Sequence, residues 1–224
     1  ANSFGQVRLL ENNAYLPLGF LANPGLQDVD FMFSEDPFEF QNILFFEASG
    51  VAEVWQKIGG PFLTITGDGV DIKDSNSTGY CSYKAEGSGD VTYSYLIDQE
   101  GFLCINLDLP KRNDFYVSLN GVELYKETIS LEQMLSVCDV HSGDVVDIRI
   151  VCDAGENSTM RISAGVLDPE KFWQGYSVLN TSTLELTEFE PTKVEGEILC
   201  DRDGLLYTSI PQNGNWIAEV DGQV

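Results

Sequence analysis

"DFYVSLNGVELYKETI", residues 114–129, decides the fold. Phe115, Val117 and Leu119 alternate onto one face, Asn120-Gly121 marks a reversal, and Val122 and Leu124 return along a second strand. A two-residue Asn-Gly loop favours the type I′ turn whose twist matches that of paired strands, so the stretch predicts an antiparallel hairpin. The same period of two spreads outward from it. "PFLTITGDGVDIKD" (61–74), "GYCSYKAEG" (79–87) and "DVTYSYLIDQEGFLCINLDL" (90–109) precede it; "SGDVVDIRIVCDA" (142–154) and "STMRISAGVLD" (158–168) follow. Short alternating runs separated by Gly, Asp and Asn predict a mainly β fold, an antiparallel β-sandwich of jelly-roll type.

Two helices interrupt this pattern. In "SEDPFEFQNILFFEASGVAEVWQKIGGP" (34–61), Asp36 can cap, Pro37 suits the first helical position, and Glu39 stands where a capping box wants a carboxylate. Phe40, Ile43, Leu44 and Ala48 give it an apolar face, Ser49-Gly50 interrupts it, and a shorter helical segment is expected over 51–58. In "DPEKFWQGYSVLN" (168–180), Asp168 caps, Pro169 follows, and Phe172, Tyr176 and Leu179 recur at helical spacing. The opening "RLLENNAYLPLGFLANPGL" (8–26) is strand-like up to Tyr15 and is then broken by Pro17 and Gly19. From 183 onward alternation returns, with hairpin connections expected around Pro191 and Asp203-Gly204. The division is therefore 1–60, a lead-in strand and helical segment; 61–180, the sandwich with a terminal short helix; and 181–224, a small additional C-terminal β unit. That unit reads as truncated. The runs 205–210 and 216–220 flank a Pro-Gln-Asn-Gly-Asn turn, and Asp221-Gly222 signals a further reversal for which no strand follows.

Composition bounds the function. The 224 residues suffice to bury roughly 70% of the unfolded surface. Twelve basic residues against 36 acidic ones give a net charge of -24, which repels nucleic-acid backbones and anionic lipid surfaces. Nucleic acid is thereby excluded as a partner. No run approaches the roughly 18 apolar residues of a membrane span. Five scattered cysteines include no C-x-x-C pair, and His141 is the single histidine, so a zinc site is not expected. Buried thiols packed as small hydrophobes are the expected state, with an isolated disulfide such as Cys138 to Cys152 left open.

Chemistry-bearing patterns are sparse. A Ser-His-Asp or Cys-His site would depend on His141 alone, in the turn-like "DVHSGDVV". No G-x-S-x-G elbow and no phosphate-cradling glycine loop is present. With 36 acidic residues, a glycosidase carboxylate pair carries no signal of its own. "GDGVDIKDSN" gathers Asp68, Asp71 and Asp74 with Asn76 in one loop, an oxygen cluster of the kind Ca²⁺ prefers, although the spacing is not that of an EF-hand. No other cofactor is indicated. Aromatic side chains offer platforms for the apolar faces of sugars, and Trp55, Trp173, Tyr80 and Tyr83 are the glycan-contact candidates. Tyr93 and Tyr95 share the face of Val91 and read as core.

Three stretches carry a family resemblance. "ENNAYLPLGFLAN" (11–23), "DPFEFQNILFFEASG" (36–50) and "GLLYTSIPQNGNWIAEVDG" (204–222) together resemble the YfhO family of bacterial polytopic membrane proteins, which are similar to multi-span glycosyltransferases that use lipid-linked sugars. The sequence departs from the family pattern at Gln212, where an aromatic is usual, and at Asn215, inserted before Trp216. The resemblance implies a non-catalytic extracytoplasmic region, whose partners are its own transmembrane bundle and a cell-envelope glycan that it positions or recognises. Catalytic residues of the family lie in loops of that bundle, so none carries over. An independent secreted carbohydrate-binding or adhesion module is the alternative, and a hydrolase with a carboxylate pair a third. The full gene product is expected to hold many apolar spans before Ala1 and at least one after Val224, where the missing strand partner would also lie.

Overall fold

The computed structural model describes residues 12–30, 36–212 and 214–223. Among the described residues, thirteen strands and two α-helices follow in the order β1 (Gly19–Ala22), α1 (Pro37–Ser49), β2 (Trp55–Lys57), β3 (Phe62–Thr66), β4 (Val70–Ser75), β5 (Tyr80–Ala85), β6 (Gly89–Leu96), β7 (Gly101–Leu119), β8 (Val122–Val140), β9 (Val145–Cys152), β10 (Asn157–Leu167), α2 (Pro169–Leu179), β11 (Glu185–Glu190), β12 (Lys193–Glu197) and β13 (Leu205–Thr208). A 3-10 turn, Pro24–Asp28, follows β1.

The Asn120-Gly121 reversal forms as the sequence predicts. Both residues have positive φ, 49° and 79°, the left-handed pair that a type I′ turn requires. The strands it joins are far longer than the quoted stretch. β7 and β8 run 19 residues each. β7 belongs to both layers of the fold: its first half pairs with β10, Leu107 facing Ile162, and its second half pairs with β9, Val117 facing Ile148. Between them the pairing with β8 shifts from Leu109 to Asn113, across Pro110, which has no N–H to give to a ladder. The buried Asn113 carboxamide donates to the Val151 carbonyl at 2.9 Å and ties the bend to β9.

The result is an antiparallel β-sandwich in the strand order β3-β6-β9-β7-β10-β5-β4. Sheet I consists of β3, β6, β9, the second half of β7 and the first half of β8; sheet II consists of the second half of β8, the first half of β7, β10, β5 and β4, with β2 added to the far end of β10. Alternation supplies the core: Val91, Tyr93, Tyr95, Ile148, Ile150, Phe115 and Val117 from sheet I meet Cys81, Leu103, Ile105, Leu107, Met160 and Ile162 from sheet II. The Tyr95 hydroxyl donates across the gap to the Ile162 carbonyl at 2.6 Å.

Helix α1 starts as expected, with the Asp36 carboxylate accepting from the Phe38 and Glu39 N–H groups, and stops where Gly50 adopts φ 81°. Its buried side matches the sequence reading in part: Ala48 is buried and Leu44 packs on a second small core, whereas Phe40 and Ile43 are half-buried. Phe38 and Ser49 are buried as well, because α1 lies on the outer face of sheet II and the Phe38 ring fills the space above Gly165, where a Cβ would come within 2.6 Å of it. The helical segment expected over 51–58 is not a helix; Trp55–Lys57 is a strand whose register with Leu167, Val166 and Gly165 of β10 satisfies its backbone. Helix α2 forms as read, capped by Asp168, and its buried Gly175 approaches Phe45 of α1 so closely that a Cβ would meet the ring at 2.3 Å.

The two ends of the chain correct the remaining expectations. The strand near the start is Gly19–Ala22, after the break; residues 8–11 of the earlier run lie outside the described residues, and Tyr15 is not in a strand. β13 does not form a hairpin at Asp203-Gly204 or with 216–220. It pairs with β1, Gly19 opposite Thr208 and Ala22 opposite Leu205. A small second core of Ala22, Leu26, Ala48 and Leu179, with Leu44 and Leu205 against it, is built from both ends and both helices. Asp221-Gly222 does reverse the chain, closing a bridge between Val220 and Gln223, and the hairpin around Pro191 joins β11 to β12.

Asp36 links these parts, since its carboxylate also pairs with Lys57 of β2. Burial pushes the Asp36 carboxyl up, but the Lys57 ammonium and the Glu39 and Phe38 N–H groups together outweigh it and hold it below its ordinary value of 3.8. A lowered carboxylate stabilises the fold fully above the unfolded value of about 3.9, and that contribution is lost as pH falls through the lower folded value. Asn caps a helix about as well as Asp, so urea unfolding of Asp36→Asn should show the loss of the charge alone, up to about 1 kcal/mol at pH 7, shrinking as acid protonates the wild-type carboxylate. An equal difference at both ends of the pH range would contradict this role.

Candidate functional site

The outer faces of the two sheets are both polar, and they differ in one respect that matters for a ligand. On sheet I the register sets Thr64, Thr92, Arg149, Tyr116 and Lys126 side by side across β3, β6, β9, β7 and β8. Arg149 stacks over the Tyr116 ring at 3.8 Å from its centroid, Lys126 Nζ stands 5.0 Å away, and Asp90 holds the Arg149 guanidinium at 2.8 Å. The ring is already engaged by the protein's own cations.

Sheet II carries the parallel row with its aromatic ring in a different setting. Tyr80 of β5 lies opposite Arg161 of β10, Arg161 opposite Asp108 of β7, and Asp108 opposite Glu132 of β8. Directly opposite residues share a face, so an aromatic, a guanidinium and two carboxylates stand in one line. Beside this line runs Ser163, Asn106 and Met134. Asn106 and Ser163 are only 4% and 6% exposed although they point away from the core. They lie close to the end of β10 that α1 covers: outward positions on β10 pass from exposed Asn157 and Thr159, through half-buried Arg161, to buried Ser163 and Gly165 under Phe38. The Asn106 carboxamide donates to Glu132 Oε1 at 3.2 Å. The line is thus a polar ledge at the foot of the helix, with a partly sunken floor.

Residues of α1 fix the wall of that ledge. The Asn42 side chain accepts from the Trp55 N–H and donates to the Trp55 carbonyl, both at 2.7 Å, standing in for a neighbouring strand. The Gln41 carboxamide accepts from the Trp55 indole N–H at 3.0 Å and contacts Met134 Sδ at 3.4 Å. Trp55 is therefore engaged on both its backbone and its ring, which also packs on Phe38 at 5.4 Å. Tyr83 is 1% exposed and lies in the core, its hydroxyl donating to Glu156 at 2.7 Å; burial and that carboxylate together push its phenol far up. Trp173 is 46% exposed on α2, edge-on to Tyr176 at 5.4 Å and to Phe172 at 5.5 Å. Of the four aromatic candidates, Tyr83 is enclosed, Trp55 and Tyr80 are half-buried beside sheet II, and Trp173 is exposed on α2.

The acidic loop does not assemble. Asp71 pairs with Lys73, Asp74 lies opposite Ser82 beyond a bulge, and Asp68 sits in the turn before β4. The Asn76 carboxamide oxygen accepts from the Thr78 N–H, the Thr78 hydroxyl and the Tyr80 N–H, so it closes the turn that leads into Tyr80. Among the described residues no group of three or more His, Cys, Asp or Glu side chains could hold a metal ion. His141 is exposed in its turn, with its N–H donating to Asp144. All five cysteines are free thiols; Cys81, Cys104 and Cys152 are buried, and burial pushes the Cys152 thiol up to about 12.

A family model described as bacterial membrane protein YfhO matches residues 1–224, the whole chain. The chain belongs to the YfhO family. No helix among its described residues is long and apolar enough to cross a membrane, which leaves β-barrels unaddressed. No curated protein matches the chain. Solved structures similar to this YfhO-family chain include a family 35 carbohydrate-binding module from Clostridium thermocellum, 11% identical, over 50% of this chain and 99% of that one, with a TM-score of 0.37. The module TmCBM61 in complex with β-1,4-galactotriose is 12% identical over 47% and 87% of the two chains, with a TM-score of 0.33. A family 36 carbohydrate-binding module in complex with calcium and xylotriose is 14% identical over 50% and 99%, with a TM-score of 0.30.

Signals for the ledge existed in the sequence only in part. Tyr80 was visible as an aromatic at a strand start. Arg161, Asp108, Glu132 and Asn106 were not, because they become neighbours only through the register of β10, β7 and β8.

Proposed function

We propose that this segment is a non-catalytic extracytoplasmic part of a polytopic YfhO-family protein, and that the sheet II ledge binds a glycan of the cell envelope, positioning it as an acceptor for glycosyl transfer. The observation that carries the reading is the row Tyr80, Arg161, Asp108 and Glu132 above the buried amide and hydroxyl of Asn106 and Ser163. An aromatic ring suits the C–H face of a pyranose, while a guanidinium, carboxylates and an amide, fixed on strands, can exchange hydrogen bonds with adjacent ring hydroxyls. Sites built on paired strands hold such groups in place more firmly than loops do. Trp173 and its ring neighbours Phe172 and Tyr176 offer a second platform on α2.

Binding to a glycan array, followed by titration of the best oligosaccharide, separates these surfaces. Tyr80→Ala and Arg161→Ala should each weaken binding about tenfold, equivalent to about 1.4 kcal/mol, whereas Arg149→Gln and Trp173→Ala should leave it unchanged. Loss on Trp173→Ala with Tyr80→Ala silent would move the site to α2. Absence of binding to any glycan would remove the reading.

The extracytoplasmic placement has its own test. Cys200 is an exposed thiol. A membrane-impermeant maleimide added to intact cells whose outer barrier admits it should label the full-length protein at Cys200, and Cys200→Ser should remove the label that maps to that position. Labelling of Cys200 only after cell lysis would put the segment on the cytoplasmic side.

A further inference from the structure

The Asp108 end of the ledge is rich in hydrogen-bond acceptors and short of donors. Asp108 and Glu132 stand directly opposite each other on β7 and β8, and like charges so placed repel. Along the row these two carboxylates answer to one guanidinium, that of Arg161, so negative charge is left over at this end. Asp108 is half-buried, and neither carboxylate forms an ion pair among the described residues. Asn106 turns its Nδ2 to Glu132 at 3.2 Å, which leaves its Oδ1 as a third acceptor without a described donor.

A separate feature lies beside them. Ser163, opposite Asn106, is only 6% exposed, and its hydroxyl makes no hydrogen bond among the described residues. It faces the ledge, because its neighbours Ile162 and Ala164 face the core. A buried hydroxyl without a partner is destabilising, and a polar group of a ligand removes that penalty.

We propose that the glycan held by the ledge carries a free primary amine, whose ammonium seats between Asp108, Glu132 and the Asn106 oxygen; this rests on the ledge being the glycan site. An ammonium brings three N–H donors, one for each of those acceptors, and cancels the surplus charge. A neighbouring hydroxyl of the same sugar partners Ser163. An N-acetylated sugar brings one N–H, no charge and a methyl group against two carboxylates. Calcium asks for more oxygens than these, and among the described residues no group of three or more His, Cys, Asp or Glu side chains could hold a metal ion. Register also places the amine along the glycan. Tyr80, Arg161, Asp108 and Glu132 sit on successive strands, so Tyr80 and Glu132 are roughly 14 Å apart at the usual strand separation. A sugar stacked on Tyr80 does not reach the carboxylates, and the amino sugar is a later unit of the same chain.

Calorimetric titration of the full-length protein with three β-linked trisaccharides, of glucosamine, of N-acetylglucosamine and of glucose, tests this. In mildly acidic buffer the glucosamine trimer should bind about tenfold tighter than either neutral one, and that advantage should vanish as pH rises through the pKa of the amine. Asp108→Asn with Glu132→Gln should bring the three sugars to parity, and Glu132→Gln alone, at an exposed position, should narrow the preference without touching half-buried Asp108. Glu185→Gln with Glu190→Gln removes the same charge from β11 and should leave the preference intact. Equal affinity for the three sugars, each weakened by Tyr80→Ala, would overturn the ammonium assignment and leave the ledge as a glycan site. A preference that both double variants reduce alike would overturn it as general attraction to an acidic protein, and a preference abolished by a metal chelator would overturn it in favour of a bound cation. Failure to bind the glucosamine trimer while another glycan binds through Tyr80 would also overturn it. Absence of binding to any glycan would remove the ledge reading and this one together.

Discussion

The contact between Phe38 and Gly165 sets the arrangement on which the other features rest. A helix can lie on a β-sheet only where the sheet leaves room for it, and here the room is one missing side chain on β10. Phe38 occupies it. With the first turn of α1 fixed there, Gln41 and Asn42 fall beside Trp55 and hold β2 against the end of β10. Asp36 caps the same turn and reaches Lys57. Further along the helix, Phe45 and Ser49 meet Gly175 of α2, and Ala48 enters the second core, where β1 and β13 meet. The stretch "DPFEFQNILFFEASG" is in this light architectural: Asp36, Phe38, Gln41 and Asn42 join the helix to its own cap or to the sandwich, and Phe45 and Ser49 join it to α2.

Coverage by α1 also gives sheet II its chemical character. A sheet face open to water along its whole length would expose Asn106 and Ser163; beside the helix they are buried, while Tyr80 and Arg161 stay half-open. Amide and hydroxyl groups in such a place must find partners, and Asn106 finds Glu132. The ledge therefore combines preorganised polar groups with a reachable ring. On sheet I, Tyr116 is stacked under Arg149 instead.

What the sequence disclosed follows the range of the interactions involved. The Asn120-Gly121 turn, both helix N-caps and the alternation of Val91, Tyr93 and Tyr95 are local, and all were legible. The Trp55 segment was misread because its backbone is satisfied by Asn42 and by β10, more than 100 residues away in the case of Val166. β13 was misread for the same reason: its partner is Gly19–Ala22. The length of β7 and β8 was hidden by Pro110 and the charged residues after it, which mark a bend between layers rather than a strand end. Tyr83 stood out as an aromatic, but only the facing of β5 toward the core shows that its ring is enclosed. Family resemblance and fold were thus accessible from short stretches, whereas the ledge is a product of three registers.

Hydrogen exchange on Phe38→Ala, peptide by peptide, tests the clamp most directly. If Phe38 in the Gly165 notch fixes the helix, amides of α1 and β2 should lose protection together while those of β6 and β9 in sheet I keep theirs. Unchanged protection of α1 in that variant would contradict the account, because the helix would then be held by something other than this contact.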